Sequence, residues 1–178
     1  MKRIVLLIAV LIIANCNLIV QHLINLSDVE KNNSSLKSNI VVDSQSFSDE
    51  LMDITWEKTN ESFQFKLKNK SGKTMKLIWD DVVYINETGR NMKVIHSGIK
   101  YINKNDPMSP STIINNSNLI DVVIPSEHIS FSGRSWTTRP LFSSSASVGK
   151  TVKVFFPIEI DNKREEYIFS FDVTQQEN

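Results

Sequence analysis

The chain has 178 residues, 40% of them hydrophobic, with Lys+Arg and Asp+Glu balanced at 20 each. That is apolar material for one packed domain plus appendages, and without a basic surplus there is no electrostatic footprint for nucleic acid. A single cysteine excludes both an intramolecular disulfide framework and a cysteine-based zinc cluster.

The chain opens on Met1-Lys2-Arg3 and then runs without a polar residue from Ile4 to Ala14. A short basic start followed by such a run is the n-region and h-region of a secretory signal. The run has no polar face, which argues against a buried core helix. It ends at Ile13-Ala14-Asn15-Cys16, which resembles the lipobox of bacterial lipoproteins, with Asn15 where Gly, Ala or Ser is usual. The resemblance implies a signal peptide over residues 1–16, lipidation of Cys16 and a membrane held through that lipid. Asn17 stands where enteric inner-membrane lipoproteins carry Asp, so the resemblance leans to the outer membrane.

Two alternatives remain open on the residues alone. One is an uncleaved anchor, because apolar character resumes at Leu18-Ile19-Val20 and Leu23-Ile24, and Ile4 to Leu26 is long enough to span a bilayer. Asn15, Asn17, Gln21 and His22 would then be costly within the membrane. The other is ordinary cleavage. All three put the rest of the chain outside the cytoplasm, because Lys2 and Arg3 hold the N-terminus inside.

Residues 17–46 read as a tether, since Ser and Asn dominate and no period is sustained. Ile40-Val41-Val42 is expected to add at most a short edge strand. The folded domain is expected over residues 47–178. Met52, Ile54 and Trp56 alternate on one strand face. Phe63, Phe65 and Leu67 do so on the next, with Gln64, Lys66 and Lys68 facing water. The longest such stretch, Lys73 to Asn86, is expected at the centre of the core with Trp79 in its middle, broken by a bulge or stop at Asp80-Asp81 where the buried face switches. Met92, Val94 and His96 alternate after it. A short strand is expected around Thr112-Ile113-Ile114, and another over Leu119 to Ile124, stopped by Pro125. Ser130 to Gly149 reads as a long Ser-rich loop. A closing hairpin pairs Thr151–Ile160 with Glu165–Val173 about a turn at Asp161-Asn162-Lys163.

Seven to nine short strands without a helix after the signal point to an all-β fold, an immunoglobulin-like antiparallel β-sandwich, with a small β-barrel as the other candidate. The plan of lipobox, tether and all-β domain resembles uncharacterised bacterial envelope lipoproteins. That likeness is architectural and carries no functional residue.

Chemistry is sparse. A metal site would have to come from His96, His128, Asp80, Asp81 and Glu127, whose spacing matches no ligand motif. Ser97 lies beside His96, but Gly-x-Ser-x-Gly is absent, and five glycines form no phosphate loop. The reading is therefore non-enzymatic, with no metal and no cofactor: an extracytoplasmic binding module for a protein or an envelope polymer. The alternative is a structural accessory subunit of a membrane complex on an uncleaved anchor. The binding candidates are Arg134, Trp136, Arg139 and Phe142, since Trp, Arg and aromatic residues dominate interface hot spots and loops on a rigid sandwich carry recognition. The competing reading folds Trp136 and Phe142 back to cap one end of the sandwich.

Overall fold

The structure, a computed structural model, describes residues 22–41 and 45–175. Its strands are β1 (His22–Lys31), β2 (Ser34–Ser35), β3 (Ile40–Val41), β4 (Ser46–Ser48), β5 (Met52–Lys58), β6 (Phe63–Asn69), β7 (Met75–Leu77) and β8 (Val83–Ile85). They continue as β9 (Asn91–Ile95), β10 (Ser111–Ile113), β11 (Asn118–Pro125), β12 (Ile129–Phe131), β13 (Trp136–Thr138), β14 (Thr151–Ile160) and β15 (Lys163–Gln175). Among the described residues, helical structure is confined to three-residue 3-10 turns, and no helix is long and apolar enough to cross a membrane. The fold is all-β. The strands outnumber the seven to nine expected because several are pieces of two or three residues between turns.

Thirteen strands form one curled antiparallel sheet in the order β2-β1-β15-β14-β8-β9-β11-β6-β5-β4-β3, with β7 pairing both β14 and β10. The curl is made at β9 and β11, which share only two residue pairs, Ile95 with Ile124 and Val94 with Pro125. The two halves of the sheet then face each other. Their inner faces come from the period-2 positions: Trp56, Phe63 and Phe65 on one half, Phe156, Phe169 and Phe171 on the other, all buried. Trp56 is the hub, with ring centroids 5.1–5.8 Å from Phe169, Phe171 and Phe156. Tilted and edge-on rings at such distances suit the aromatic quadrupole.

The segment around Trp79 behaves as its two aspartates dictate. Leu77 and Trp79 are buried, a 3-10 turn over Trp79–Asp81 breaks the strand, and Val82 and Tyr84 take over the buried face. Asp81 escapes burial and meets Arg164 at 2.6 Å. Trp79 donates its indole N–H to Ser111 Oγ at 2.8 Å and stacks on His96 at 4.2 Å. The turn at Asn69 to Gly72 is closed by the buried Asn69 side chain, whose amide donates to the Lys73 and Ile113 carbonyls.

The tether expected over residues 17–46 needs correction within its described part. His22–Lys31 is a sheet strand, paired antiparallel with β15, and Ile24, Leu26 and Val29 are buried in the core. The pairing slips between Leu26 and Asp28. That bulge resets the alternation, so the buried positions fall at 24, 26 and 29 and show no plain period of two. Asn32 and Asn33, both at positive φ, then turn the chain into β2. Lys31 fastens β1 to the opposite half through Asp49 at 3.3 Å and Glu50 at 2.5 Å, and Tyr167 donates to Asp49 at 2.6 Å. Burial alone would lower the Lys31 ammonium pKa, but the Glu50 hydrogen bond and the charge of Asp49 outweigh it and raise it. Ile40–Val41 is the short edge strand expected, paired to β4. The signal, Cys16 and the expected anchor helix lie outside the described residues.

Candidate functional site

Ser130 to Gly149 is only partly loop. Pro125 ends β11, a 3-10 turn follows over Ser126–His128, and β12 and β13 then form a separate two-stranded hairpin. Its tip is Ser132-Gly133-Arg134-Ser135, where Ser132 N–H donates to the Ser135 carbonyl at 3.0 Å and Gly133 supplies the positive φ the turn needs. The base is fixed: Ile129 is buried, and Lys104 Nζ donates to the carbonyls of Ser126 and Ile129.

Phe131 and Trp136 face each other across this hairpin, their ring centroids 5.2 Å apart. Tyr101 meets Trp136 edge-on at 6.2 Å, and Thr138 donates its hydroxyl to the Tyr101 oxygen at 3.3 Å. The pair is nonetheless open to solvent, Phe131 at 55% and Trp136 at 38% exposure, and Ile102 beside Tyr101 is exposed as well. Large aromatic side chains held in place yet unburied supply contact area at little further entropy cost on binding.

The four binding candidates therefore separate. Arg134 is exposed at the hairpin tip and Trp136 is exposed on its side. Arg139 is exposed beyond the hairpin base, where its N–H donates to the His128 carbonyl. Phe142 folds back, as the capping alternative supposed: it is buried, 5.5 Å from the His22 ring, with the Lys58 ammonium 5.8 Å over its face. Phe131 and Tyr101 belong to the surface and were missed. The Ser132-Gly133 pair seven residues after Pro125 is a hairpin signal that sets Phe131 opposite Trp136; nothing local points to Tyr101.

The other polar candidates are engaged in structure. Asp121 is buried and accepts from the backbone N–H of Ser97 and Val122, from Ser97 Oγ at 2.5 Å, and pairs with His96 Nδ1 at 3.2 Å. A nucleophilic serine is activated by bonding to its base; here the Ser97 hydroxyl donates its hydrogen bond to the Asp121 carboxylate, and no bond joins Ser97 to His96 among the described residues. The cluster is a clamp on the turn at Ser97. Asp80 accepts from Met108 N–H at 2.9 Å, and Glu127 pairs with Arg90 at 2.7 Å. No group of three or more His, Cys, Asp or Glu residues converges on a metal-sized site among the described residues. No protein-family model, curated protein or solved structure matches the chain.

Proposed function

We propose that the chain is a non-enzymatic binding module of the bacterial cell envelope, carried outside the cytoplasm on a lipid at Cys16, and that the β12–β13 hairpin is its contact surface. The observation that carries this reading is the exposed Phe131–Trp136 pair on a hairpin anchored at its base. Exposed aromatic clusters cost solubility and mark contact sites, and Trp with neighbouring Arg is the composition of hot spots. Arg134 at the tip adds a charge for a protein or an anionic envelope polymer. The membrane placement rests on the basic start, the apolar run and the lipobox-like end. The scaffold reading that goes with it is an immunoglobulin-like sandwich, supported by two antiparallel halves packed through one aromatic core.

A photo-reactive residue at Phe131 tests the reading in intact cells. It is expected to give a discrete crosslinked species that is lost with Trp136→Ala. The same probe at Ile120, which is exposed on β11, is expected to give none. Equal crosslinking from both positions, or crosslinking unchanged by Trp136→Ala, would remove the hairpin as the contact surface.

A further inference from the structure

A pocket of about 160 Å³ opens where the turn after β8, strand β9, the 3-10 turn before β12 and the segment after β13 converge. Its walls include Tyr84, Glu87, Met92, His128, Arg139 and Leu141. Tyr84 and His128 are both more than nine-tenths buried. The Tyr84 hydroxyl and His128 Nδ1 have no hydrogen-bond partner among the described residues. A buried polar group left unpaired costs about 1–3 kcal/mol, and native folds rarely leave two in one place. Their wall also carries one acid, Glu87, and one base, Arg139, and no ion pair joins the two among the described residues. Burial first, and then the Arg139 guanidinium, lower the His128 pKa, so its imidazole is neutral in the pocket. Burial and Glu87 push the Tyr84 phenol pKa up, so it keeps its proton.

We propose that this pocket binds a small zwitterion, an α-amino acid of the size of glycine to serine. Arg139 takes the carboxylate, Glu87 takes the ammonium, and Tyr84 and His128 supply the neutral donors and acceptors between them. The wall chemistry selects this class. A bare carboxylate would meet Glu87, and a bare ammonium would meet Arg139; only a molecule carrying both charges satisfies both. The volume agrees, since it lies well below the roughly 300 Å³ at which drug-sized sites begin, while exceeding what one or two waters of about 30 Å³ each fill. The pocket lies at the hairpin base, where His128 leads into β12 and Arg139 follows β13, and not on the Phe131–Trp136 face; its test needs no envelope partner.

The 178-residue chain, purified in detergent, is titrated with glycine and L-serine while the His128 ring resonances are followed. Saturation is expected with a midpoint of about 1 mM or below, the weak end of specific recognition. Acetate and methylammonium are expected to bind at least tenfold more weakly. Arg139→Gln and Glu87→Gln are each expected to weaken glycine binding at least tenfold without changing the melting temperature of the free protein. Tyr84→Phe is expected to abolish the stabilisation by glycine while leaving the free protein at least as stable. Identical non-saturating shifts with all four probes would mean that the pocket holds water only. Saturation unaffected by Arg139→Gln and Glu87→Gln would place the ligand elsewhere. Either result overturns the proposal.

Discussion

The three tryptophans have three environments. Trp56 is the aromatic hub, buried on all sides. Trp79 is equally buried but amphipathic in use, with its ring on His96 and its N–H on Ser111. Trp136 is held by Tyr101 and Phe131 while remaining open to water. Truncating a buried tryptophan forfeits its transfer energy and leaves a cavity, about 3–5 kcal/mol in all. That is a large part of the roughly 5–15 kcal/mol a domain possesses. Trp79→Ala is therefore expected to cost about 3–5 kcal/mol in chemical denaturation, and Trp136→Ala about 1 kcal/mol. Equal and large losses would show that the hairpin is part of the core, and its role as a contact face would fall with that result.

At the scale of the element, β1 is the strand on which the domain boundary turns. It covers the edge of β15 from Gln175 to Tyr167 and buries three aliphatic side chains. Each is worth about 1.5–3 kcal/mol, and an uncovered long edge is a template for aggregation. A fragment of residues 22–178 is expected to melt cooperatively as a β protein. A fragment of residues 47–178 is expected to melt far lower or to aggregate, and a peptide of residues 22–35 added in trans is expected to raise its melting temperature. If 47–178 matches 22–178, β1 contributes nothing to the core and the boundary belongs at Phe47. Asn32-Asn33 was readable as a hairpin turn, but the Ser- and Asn-rich surroundings and the bulge at Ser27 hid the strand before it. By contrast, β6 and the β14–β15 hairpin were readable from the chain, because their inward apolar residues recur at every second position and Asp161-Asn162 are turn residues that tolerate the positive φ they adopt; the β14–β15 ladder runs without a slip.

At the scale of the whole molecule, the position of β1 changes how the domain would stand on a membrane. Five residues separate Cys16 from His22, and an extended chain spans at most about 3.3–3.6 Å per residue. A lipid on Cys16 would hold the His22 end of β1 within about 20 Å of the bilayer surface, together with Phe142 and the Ser144 carbonyl that contact His22. The expected intact mass is that of a chain beginning at an acylated Cys16, and Cys16→Ala is expected to accumulate an unprocessed precursor. A mature species that begins at Met1 without acyl mass would remove the lipid anchor and leave the uncleaved helix.

The sequence by itself determined the all-β class and the inward faces of β5, β6, β14 and β15. Alternation along an extended chain is a local property, and apolar residues at every second position have one way to leave water. Only the tertiary structure decided where that rule is broken. In β11 the inward positions hold Asp121 and Val123, while Ile120 is left in solvent, because the bonds from Ser97, Val122 and His96 offset the burial of the carboxylate. Likewise, the types of Arg134, Trp136, Arg139 and Phe142 could be read from the chain, but not their separation. Whether an aromatic residue in a turn-rich stretch is covered depends on which distant segment lies over it. Here His22 and Lys58 cover Phe142, and Tyr101 reaches Trp136 without burying it.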